Sequence, residues 1–444
     1  YNKYMSIRGV LLRSALPLLQ RISTMRSNRG AALFTPKVKK GVKLDPRDPK
    51  TWWMVHAAQG LNAVPMMAQM YDHAMSLAGV PAQKFYSDAK IHVDTVAAVA
   101  AFYGFDAATG GGDTYNYEAE ALGQTMIYSE NAMPTIDFRN PLIKKPEDLV
   151  KLKSPDWLNA GRVPFVLDVI RYNAEMGYKT GKFCSPFSLA VALRTYPKLV
   201  RDMRKNPQFA HDLFAVLTDE ILPSYLKVQK KQCGISAATG ADAWAVFPNL
   251  SPELMEEWVL TYADRLFKNC TDFGVIALAV GGGGDYCEES IEKFDKTILF
   301  KCFDIQKKLF HGMPMLVLGM GRWHEYPLEA VVEYLAPLRE KGMRLSIIAS
   351  LNARLLRDGP VEKIVDTVKR FIDMLGRDHN LAISLANVPA DTPSHHIHAA
   401  VAATHTYGNF PIAQNLDDIS FKLPQREPFE KYRQKMSSGT AADI

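Results

Sequence analysis

The stretch Val275-Ile-Ala-Leu-Ala-Val-Gly-Gly-Gly-Gly-Asp285 joins an apolar run to four glycines and a carboxylate. A short apolar run that ends in glycine is typical of a strand buried on both faces of a parallel sheet. The same order occurs where Phe105–Thr109 precedes Gly110-Gly-Gly-Asp113 and where Met315–Leu318 precedes Gly319-Met-Gly321. Glycine lets backbone approach a ligand closely, so these strand ends predict either a wide ligand cavity or simply tight turns.

Strand-like runs alternate with helix-like stretches from residue 61 onward. Repeated alternation of this kind predicts a parallel sheet with helical crossovers, and about eight units favour a single α/β domain, a (β/α)8 TIM-type barrel. In that fold the site lies at the carboxyl ends of the strands. The predicted strands are Asn62–Met67, Phe105–Thr109, Thr125–Tyr128, Lys182–Ser185, Ala243–Phe247, Val275–Val280, Met315–Leu318, Arg344–Ala349 and Leu381–Ala386.

The positive charge of the chain is concentrated at its N-terminus. The 444 residues carry 53 Lys and Arg against 47 Asp and Glu, but residues 1–44 hold ten bases and no acid. We therefore divide the chain into a basic N-terminal arm, residues 1–45, and a slightly acidic barrel, residues 46–444. The barrel's charge argues against a nucleic-acid surface. The arm is predicted to pack on its own barrel or on a second subunit of a homodimer, to hold an acidic partner, or to act in targeting or membrane contact.

Cysteine usage and hydropathy indicate the compartment. The five cysteines are scattered and form no CxxC pair, which predicts reduced thiols and a cytoplasmic location. No apolar run reaches the length of about 18 residues that a membrane span needs.

Four stretches resemble the uroporphyrinogen decarboxylase superfamily, which includes corrinoid-dependent methyltransferases. They are Asn140-Pro-Leu-Ile-Lys-Lys-Pro146 with the residues to Asp156, Cys184-Ser-Pro-Phe-Ser-Leu189, Gly240-Ala-Asp-Ala-Trp244 with Leu250–Trp258, and Val388-Pro-Ala-Asp-Thr-Pro393. The matches occur in order over residues 61–405, and the resemblance implies a single barrel.

Departures from the superfamily's motifs separate its branches. Met54-Val-His-Ala-Ala-Gln-Gly60 stands where true decarboxylases carry the arginines that grip substrate carboxylates. The resemblance therefore implies the methyltransferase branch, with a methyl group passing from a small methylated substrate to a corrinoid. The zinc ligands of the thiol-activating members (HxC and a later Cys) align with Gly319, Gly321 and Ala386, which argues against that zinc site. No DxHxxG motif occurs, so the cobalamin would be carried on a separate protein.

Two other functions stay open. The first is decarboxylation of a tetrapyrrole or other aromatic carboxylate, and the second is ligand binding without catalysis.

Asp113 is the first candidate catalytic residue. By position it resembles the carboxylate that the decarboxylases use to bind pyrrole N–H groups, although it could instead cap a helix over Tyr115–Leu122. Tyr115 and Tyr117 are predicted to line the mouth. Asp242 is interpreted as a structural residue that precedes a strand.

The third glycine turn supplies the other candidates. His324 and Glu325 are predicted to perform acid–base chemistry or hold a metal, with Arg322 beside them. Gly319, Gly321 and Asp285 are predicted to line the substrate site.

His395 and His398 lie three residues apart, so on a helix they would share a face. They are predicted to bind substrate, or to complete a metal site with His324 and Glu325.

Overall fold

The computed structural model describes residues 63–106, 111–113, 116–175, 178–281, 284–288, 290–319 and 327–438. The basic N-terminal arm lies outside the described residues. The strands are β1 (Met66–Ala68), β2 (Met126–Ile127), β3 (Thr135–Ile136), β4 (Gly181–Cys184), β5 (Ala237–Ala241), β6 (Ile276–Gly281), β7 (Met315–Leu318), β8 (Ser346–Leu351) and β9 (Leu381–Leu385).

Helices occupy most of the chain between the strands. They are α1 (Tyr71–Leu77), α2 (Ala82–Phe85), α3 (Ala89–Tyr103), α4 (Tyr117–Ala121), α5 (Val163–Glu175), α6 (Pro186–Arg194), α7 (Tyr196–Lys205), α8 (Pro207–Val216), α9 (Leu222–Cys233), α10 (Pro252–Leu254), α11 (Thr261–Thr271), α12 (Lys296–Leu309), α13 (Leu328–Glu340), α14 (Ala353–Asp358), α15 (Val361–Leu375), α16 (Ser394–Tyr407) and α17 (Phe429–Ser438). Short π-helical segments, Leu217–Ile221 and Met255–Leu260, follow α8 and α10, and 3₁₀ turns lie at Pro146–Lys151, Ile291–Lys293 and Leu416–Asp418.

Helix α3 shows how local sequence sets the bounds of an element. The Asp88 side chain accepts a hydrogen bond from the Ile91 N–H at 3.0 Å and so satisfies a free donor at the helix start. Gly104 ends the helix in the left-handed conformation, with φ of 83°. The helix thereby delivers His92 and Tyr103 to the protein interior.

The strands form two parallel sheets and one hairpin. Strand order is β1-β9-β8-β7 in the first sheet and β4-β5-β6 in the second, and every pairing in both is parallel. Strands β2 and β3 pair antiparallel with each other. Parallel neighbours require crossover connections, which the helices provide. The predicted α/β class with a parallel sheet is therefore confirmed.

Two predicted strands are wrong in position or role. Residues 243–247 form a turn, and β5 lies just before them at Ala237–Ala241. The sequence Ala-Ala-Thr-Gly-Ala has weak strand propensity, so its place in the sheet comes from pairing with both neighbours rather than from local pattern. Thr125–Tyr128 contains β2, which pairs only with β3 and belongs to neither parallel sheet.

Each parallel sheet has one face packed on helices and one face turned away from them, which we call the inner face. Phe183, Ala277 and Ile383 belong to the large core on the helix side. The inner faces of the two sheets meet in a smaller cluster, the apolar floor, which consists of Ile276, Leu278, Phe310, Met313 and Met315. Because Ile276 comes from the second sheet and Met315 from the first, this cluster joins the two sheets.

Solvent reaches the inner face above the apolar floor. Exposure alternates along β5, where Ala237, Thr239 and Ala241 are partly exposed and the residues between them are buried. Strands β7, β8 and β9 have partly exposed residues on the same face, at Val317, Ile348 and Ser384. A central cavity open to solvent explains this alternation, because neighbouring strand residues point to opposite faces.

Two buried glutamines form hydrogen bonds with backbone groups at the edges of the two sheets. Gln229 accepts a hydrogen bond from the Lys182 N–H at 3.0 Å and donates to the Lys182 carbonyl at 2.7 Å. Gln306 accepts from the Val317 N–H at 3.0 Å and donates to Asp285 Oδ1 at 2.8 Å. Helix side chains therefore make the hydrogen bonds that these backbone groups would otherwise form with a neighbouring strand. Within the described part of the chain, no strand pairing joins the two sheets into a closed ring.

The described helices include none with both the length and the apolar character to cross a bilayer.

Candidate active site

Acidic side chains gather at the carboxyl ends of the strands of the second sheet. Asp242 follows β5 directly, and Asp285 follows β6. Glu118 of α4 joins them because its Oε1 accepts a hydrogen bond from the N–H of Cys184, the last residue of β4, at 2.7 Å. This is the edge at which parallel α/β proteins bind ligands.

Asp113 is fully buried in an ion pair with Arg162. Its Oδ2 lies 2.6 Å from Arg162 Nη2, and its Oδ1 accepts from the Asn116 N–H at 3.2 Å. Its own N–H donates to the Tyr117 hydroxyl at 2.6 Å. Burial raises the pKa of Asp113 to about 6, although the Arg162 guanidinium favours the charged form. The carboxyl is therefore ionised at neutral pH but close to titration.

Arg162 holds this corner of the site together. Its Nε donates to Glu120 Oε2 at 2.6 Å, and its guanidinium lies over the rings of Tyr117 and Tyr128, 5.0 and 5.7 Å from their centres. The sequence offered no signal for Arg162, because it precedes α5 and meets Asp113 only through tertiary packing.

Glu118 and Asp242 are buried carboxyl groups that hold protons near neutral pH. Burial raises the pKa of each to about 7. Hydrogen bonds oppose this rise, from the Cys184 backbone to Glu118 and from Ser188 to Asp242. Asp242 Oδ1 accepts from the Ser188 N–H at 2.9 Å and from the Ser188 hydroxyl at 2.7 Å. Asp242 Oδ2 is buried without a hydrogen-bond partner. A carboxyl with a pKa near 7 can act as a proton donor in this pH range.

The position of Asp242 corrects the sequence interpretation. Asp242 was predicted to precede a strand, whereas it directly follows β5. The error has the same origin as the misplaced strand, since the small residues of β5 were not recognised. Glu118 was missed because a glutamate inside a short helix carries no distinctive pattern.

The Cys184 thiol is surrounded by this acidic group. Burial raises its pKa well above the ordinary value, and Glu118, Asp242 and Asp113 raise it further. The thiol is therefore neutral and unsuited to act as a nucleophile.

Asp285 and Gly319 lie in contact at the ends of β6 and β7. Asp285 is buried, and an added Cβ at Gly319 would fall 2.0 Å from its Oδ2. Gly319 thus makes room for the carboxyl group. The prediction had placed both residues at the site without relating them.

The remaining predicted site residues are placed as follows. Tyr117 is buried beneath Arg162 and supports Asp113 rather than standing on an exposed rim. Four candidates of the third glycine turn and one tyrosine lie outside the described residues: Gly321, Arg322, His324, Glu325 and Tyr115.

The two predicted histidines of α16 lie in different environments. His395 is exposed, with its ring 4.4 Å from that of His396. His398 is buried between Phe102 and Tyr103, each ring centre 4.8 Å away, and burial lowers its pKa to about 4. The described residues contain no group of three or more His, Cys, Asp or Glu side chains able to hold a metal.

An aromatic cluster of Tyr196, Trp244 and Phe138 stands beside Asp242. Tyr196 stacks on Trp244 at 5.4 Å, and Phe138, which is 43% exposed, meets Trp244 edge-on at 6.2 Å. The backbone N–H of Trp244 donates a hydrogen bond to the Ser188 hydroxyl at 3.2 Å. The same hydroxyl donates to Asp242, so the cluster is linked to the Asp242 hydrogen bonds. No pattern in the sequence indicated this cluster.

These features define an α/β protein with parallel sheets and an acidic site at the carboxyl ends of its strands. The family model for uroporphyrinogen decarboxylase (URO-D) matches residues 59–407, and the chain belongs to this family. The predicted resemblance is confirmed, and membership places the chain in an enzyme superfamily.

Known proteins resemble the chain both in sequence and in fold. A uroporphyrinogen decarboxylase from Myxococcus xanthus is 29% identical over 174 residues, which are 37% of this chain and 47% of that protein. The chain thus matches about half the length of this relative. A solved structure, described as a methyltransferase from Methanosarcina mazei, superimposes with a TM-score of 0.57 and 18% identity, over 78% of this chain and 94% of that one. The second likeness is one of fold.

Proposed function

We propose that the protein is a methyltransferase that moves a methyl group from a small methylated substrate to a corrinoid carried on a partner protein. The observation that carries this proposal is the pair of buried, protonatable carboxyl groups, Glu118 and Asp242, at the edge where the cavity opens. Removing a methyl cation from an ether oxygen or from an uncharged amine leaves an oxygen or nitrogen anion that needs a proton, and these groups can supply one. The URO-D family and the fold likeness to a methyltransferase support the assignment.

The residues of this chain would bind the methyl donor and protonate the group that departs from it. The substrate would occupy the inner-face cavity, with its methyl group toward the acidic edge. Asp242 or Glu118 would give its proton to the departing group and regain one from solvent, which a pKa near 7 permits. Asp113, held by Arg162, would contribute a negative charge above about pH 6.

A corrinoid on a partner protein fits the same edge. Its cobalt would supply the acceptor for the methyl group. The aromatic cluster, with its exposed Phe138, gives an apolar surface close to Asp242 that a planar macrocycle or its carrier could contact.

The finer architectural predictions are part of the proposal. We infer that the two sheets close into a (β/α)8 barrel. The Asp106 N–H donates a hydrogen bond to the Met66 carbonyl at 2.9 Å, so the chain after α3 runs beside β1, which supports this inference. A homodimer and a cytoplasmic location remain predictions, as do roles for His324, Glu325, Arg322, Tyr115 and Gly321 in catalysis, substrate binding or a metal site with His395 and His398.

Methyl transfer to free cob(I)alamin tests the function. Purified protein is incubated with a panel of methoxylated and methylated-amine donors, and methylcobalamin is followed by absorbance. We expect turnover with one donor class and a loss of about 10²–10⁴-fold in Asp242→Asn or Glu118→Gln. Asp272→Asn, at an exposed carboxylate, is the matched control. Absence of turnover with every donor, in protein that is folded by circular dichroism, would refute the proposal.

Decarboxylation of a tetrapyrrole is the second candidate. The match to a decarboxylase and the buried Asp113 carboxylate favour it, since a buried anion can hold pyrrole N–H groups. The missing arginines at residues 54–60 oppose it. Release of CO2 from uroporphyrinogen would establish it, and a protein that binds ligands but turns over neither substrate would be a non-catalytic barrel.

A further inference from the structure

The glycine turn that carries Asp113 has no side chains of its own to hold it in place. Gly112 adopts a φ of 71°, in the left-handed region that favours glycine. An added Cβ at Gly112 would fall 1.7 Å from the Tyr117 hydroxyl oxygen, and one at Gly111 would fall 1.6 Å from that of Tyr71. Both positions therefore require glycine, whose backbone has the greatest conformational freedom, so contacts from other elements must fix the turn.

His92 of α3 makes one of these contacts. Its side chain is fully buried, with Nε2 2.9 Å from the backbone nitrogen of Gly112 and Nδ1 3.2 Å from the Phe85 carbonyl oxygen. A backbone N–H can only donate and a carbonyl oxygen can only accept, so the two contacts together require the neutral imidazole with its proton on Nδ1. The rings of Phe85 and Phe165, centred 4.3 and 5.6 Å away, fix the orientation of the imidazole.

The imidazole of His92 stays in this neutral form over the pH range of the proposed chemistry. Burial, and then the charge of Lys182, lower the pKa of His92 to about 3. Protonation would place an N–H of the ring against the Gly112 N–H, so a charged imidazole could not make this contact. His92 is therefore an acceptor for the turn and takes no part in proton transfer near neutral pH.

Two neighbouring amides of the turn are held by two different helices. His92 of α3 accepts from the Gly112 N–H, and Tyr117 of α4 accepts from the Asp113 N–H at 2.6 Å. The Asp113 carboxylate, which belongs to the second of these residues, lies 2.6 Å from Arg162. Because glycine gives the turn no stiffness, loss of the first contact would let the carboxylate move relative to its cation.

We propose that His92 is a positioning residue for the candidate active site. By accepting from Gly112 it fixes the glycine turn, and through the turn it places the Asp113 carboxylate against Arg162 and away from solvent. The inference rests on the proposed function only for what Asp113 does to a substrate. The placement of the carboxylate can be measured without a substrate, a corrinoid or turnover.

The titration of Asp113 in the full chain tests the inference. Carboxyl NMR on protein labelled in its aspartate side chains follows the ionisation, and Asp113→Asn identifies the resonance by its absence. We expect the wild type to titrate near pH 6, because burial raises the pKa of Asp113 to about 6. His92→Phe keeps a buried ring but removes the acceptor, so water should reach the freed carboxylate and lower its pKa by about one unit or more. Arg162 and Glu120, which also act on this pKa, are unchanged in every variant.

Two further variants separate positioning from a general loss of packing. His92→Gln retains both an acceptor and a donor, so Asp113 should titrate close to its wild-type pH. His73 is a matched control, because it is also a buried histidine and its Nε2 lies 2.7 Å from the Tyr103 hydroxyl rather than beside the turn. His73→Phe should lose comparable stability in urea yet leave the Asp113 titration unchanged.

Several results would overturn the inference. One is an Asp113 titration in His92→Phe that matches the wild type, and another is an equal shift in His73→Phe. A shift in His92→Gln as large as that in His92→Phe would do so too, since the acceptor would then not be the feature that fixes the turn. Should His92→Phe fail to fold, His92→Met removes the acceptor with a flexible apolar side chain and gives the same comparison. A shifted titration in a protein that transfers no methyl group would support this inference while counting against the proposed function.

Discussion

Replacing Asp242 by Asn should stabilise the protein at alkaline pH. Asp242 is buried, with a pKa of about 7 in the folded protein against 3.8 for the ordinary side chain. Because the folded state binds this proton more tightly than the unfolded chain does, the stabilisation is complete below about pH 4 and is lost as the pH rises through 7. At about 1.4 kcal/mol per pH unit, ionisation then costs the fold about 4 kcal/mol.

The asparagine variant cannot ionise, so it avoids that free-energy cost, and its side chain has nearly the same shape as aspartic acid. Its carbonyl oxygen can accept both Ser188 hydrogen bonds, and its NH2 group takes the place of the protonated oxygen that has no partner. We therefore expect Asp242→Asn to be within about 1 kcal/mol of the wild type at pH 4 and about 2–4 kcal/mol more stable at pH 8.5.

Urea unfolding of both proteins between pH 4 and 9 measures the difference. Asp272→Asn controls for the loss of one surface charge. Ser188→Ala is a second test of the raised pKa of Asp242. It removes the hydroxyl that donates to the carboxylate, so the pKa of Asp242 should rise further. A stability difference between wild type and Asp242→Asn that does not change with pH would refute the reasoning. The same variant should lose methyl transfer, so stability and activity would change in opposite directions.

Three further predictions concern the supports of the site. Arg162→Met leaves the Asp113 carboxylate buried without its cation, so we expect a loss of about 3–5 kcal/mol in the free energy of unfolding, measured with urea at pH 7.5; an unchanged midpoint would contradict the ion pair. Gln229→Leu removes two hydrogen bonds from the edge of β4, which should cost about 1–3 kcal/mol and speed amide exchange in that strand; exchange at the wild-type rate would show that another group pairs this edge. Gly319→Ala places a Cβ against Asp285, so we expect lost stability or a displaced carboxylate, visible by crystallography, whereas an unshifted Asp285 would show that the contact is loose.

Much of the fold could be predicted because its signals are local. The strand β7 is an apolar run that ends in glycine, so it was predicted with the bounds that the structure has. Strand β5 was missed because alanine and glycine resemble a loop in isolation. Its strand conformation depends on pairing along both edges, and the sequence alone does not reveal those neighbours.

The candidate site was predicted less completely. Asp113 and Asp285 were identified because each follows a glycine run, which is a local feature of the sequence. Glu118 was missed because its importance comes from burial, and the burial of a charged side chain depends on what packs around it.

By itself, the sequence determined the parallel α/β class, the family and the end of each strand at which a site would form. Apolar runs, helical periods and motifs are properties of neighbouring residues, and they survive without any knowledge of contacts. Only the tertiary structure decided that Arg162 meets Asp113, that Glu118 hydrogen-bonds to the end of β4, and that Lys182 lies beside Thr239 in the parallel ladder. These facts depend on strand register, in which a shift of one residue would turn every side chain to the opposite face.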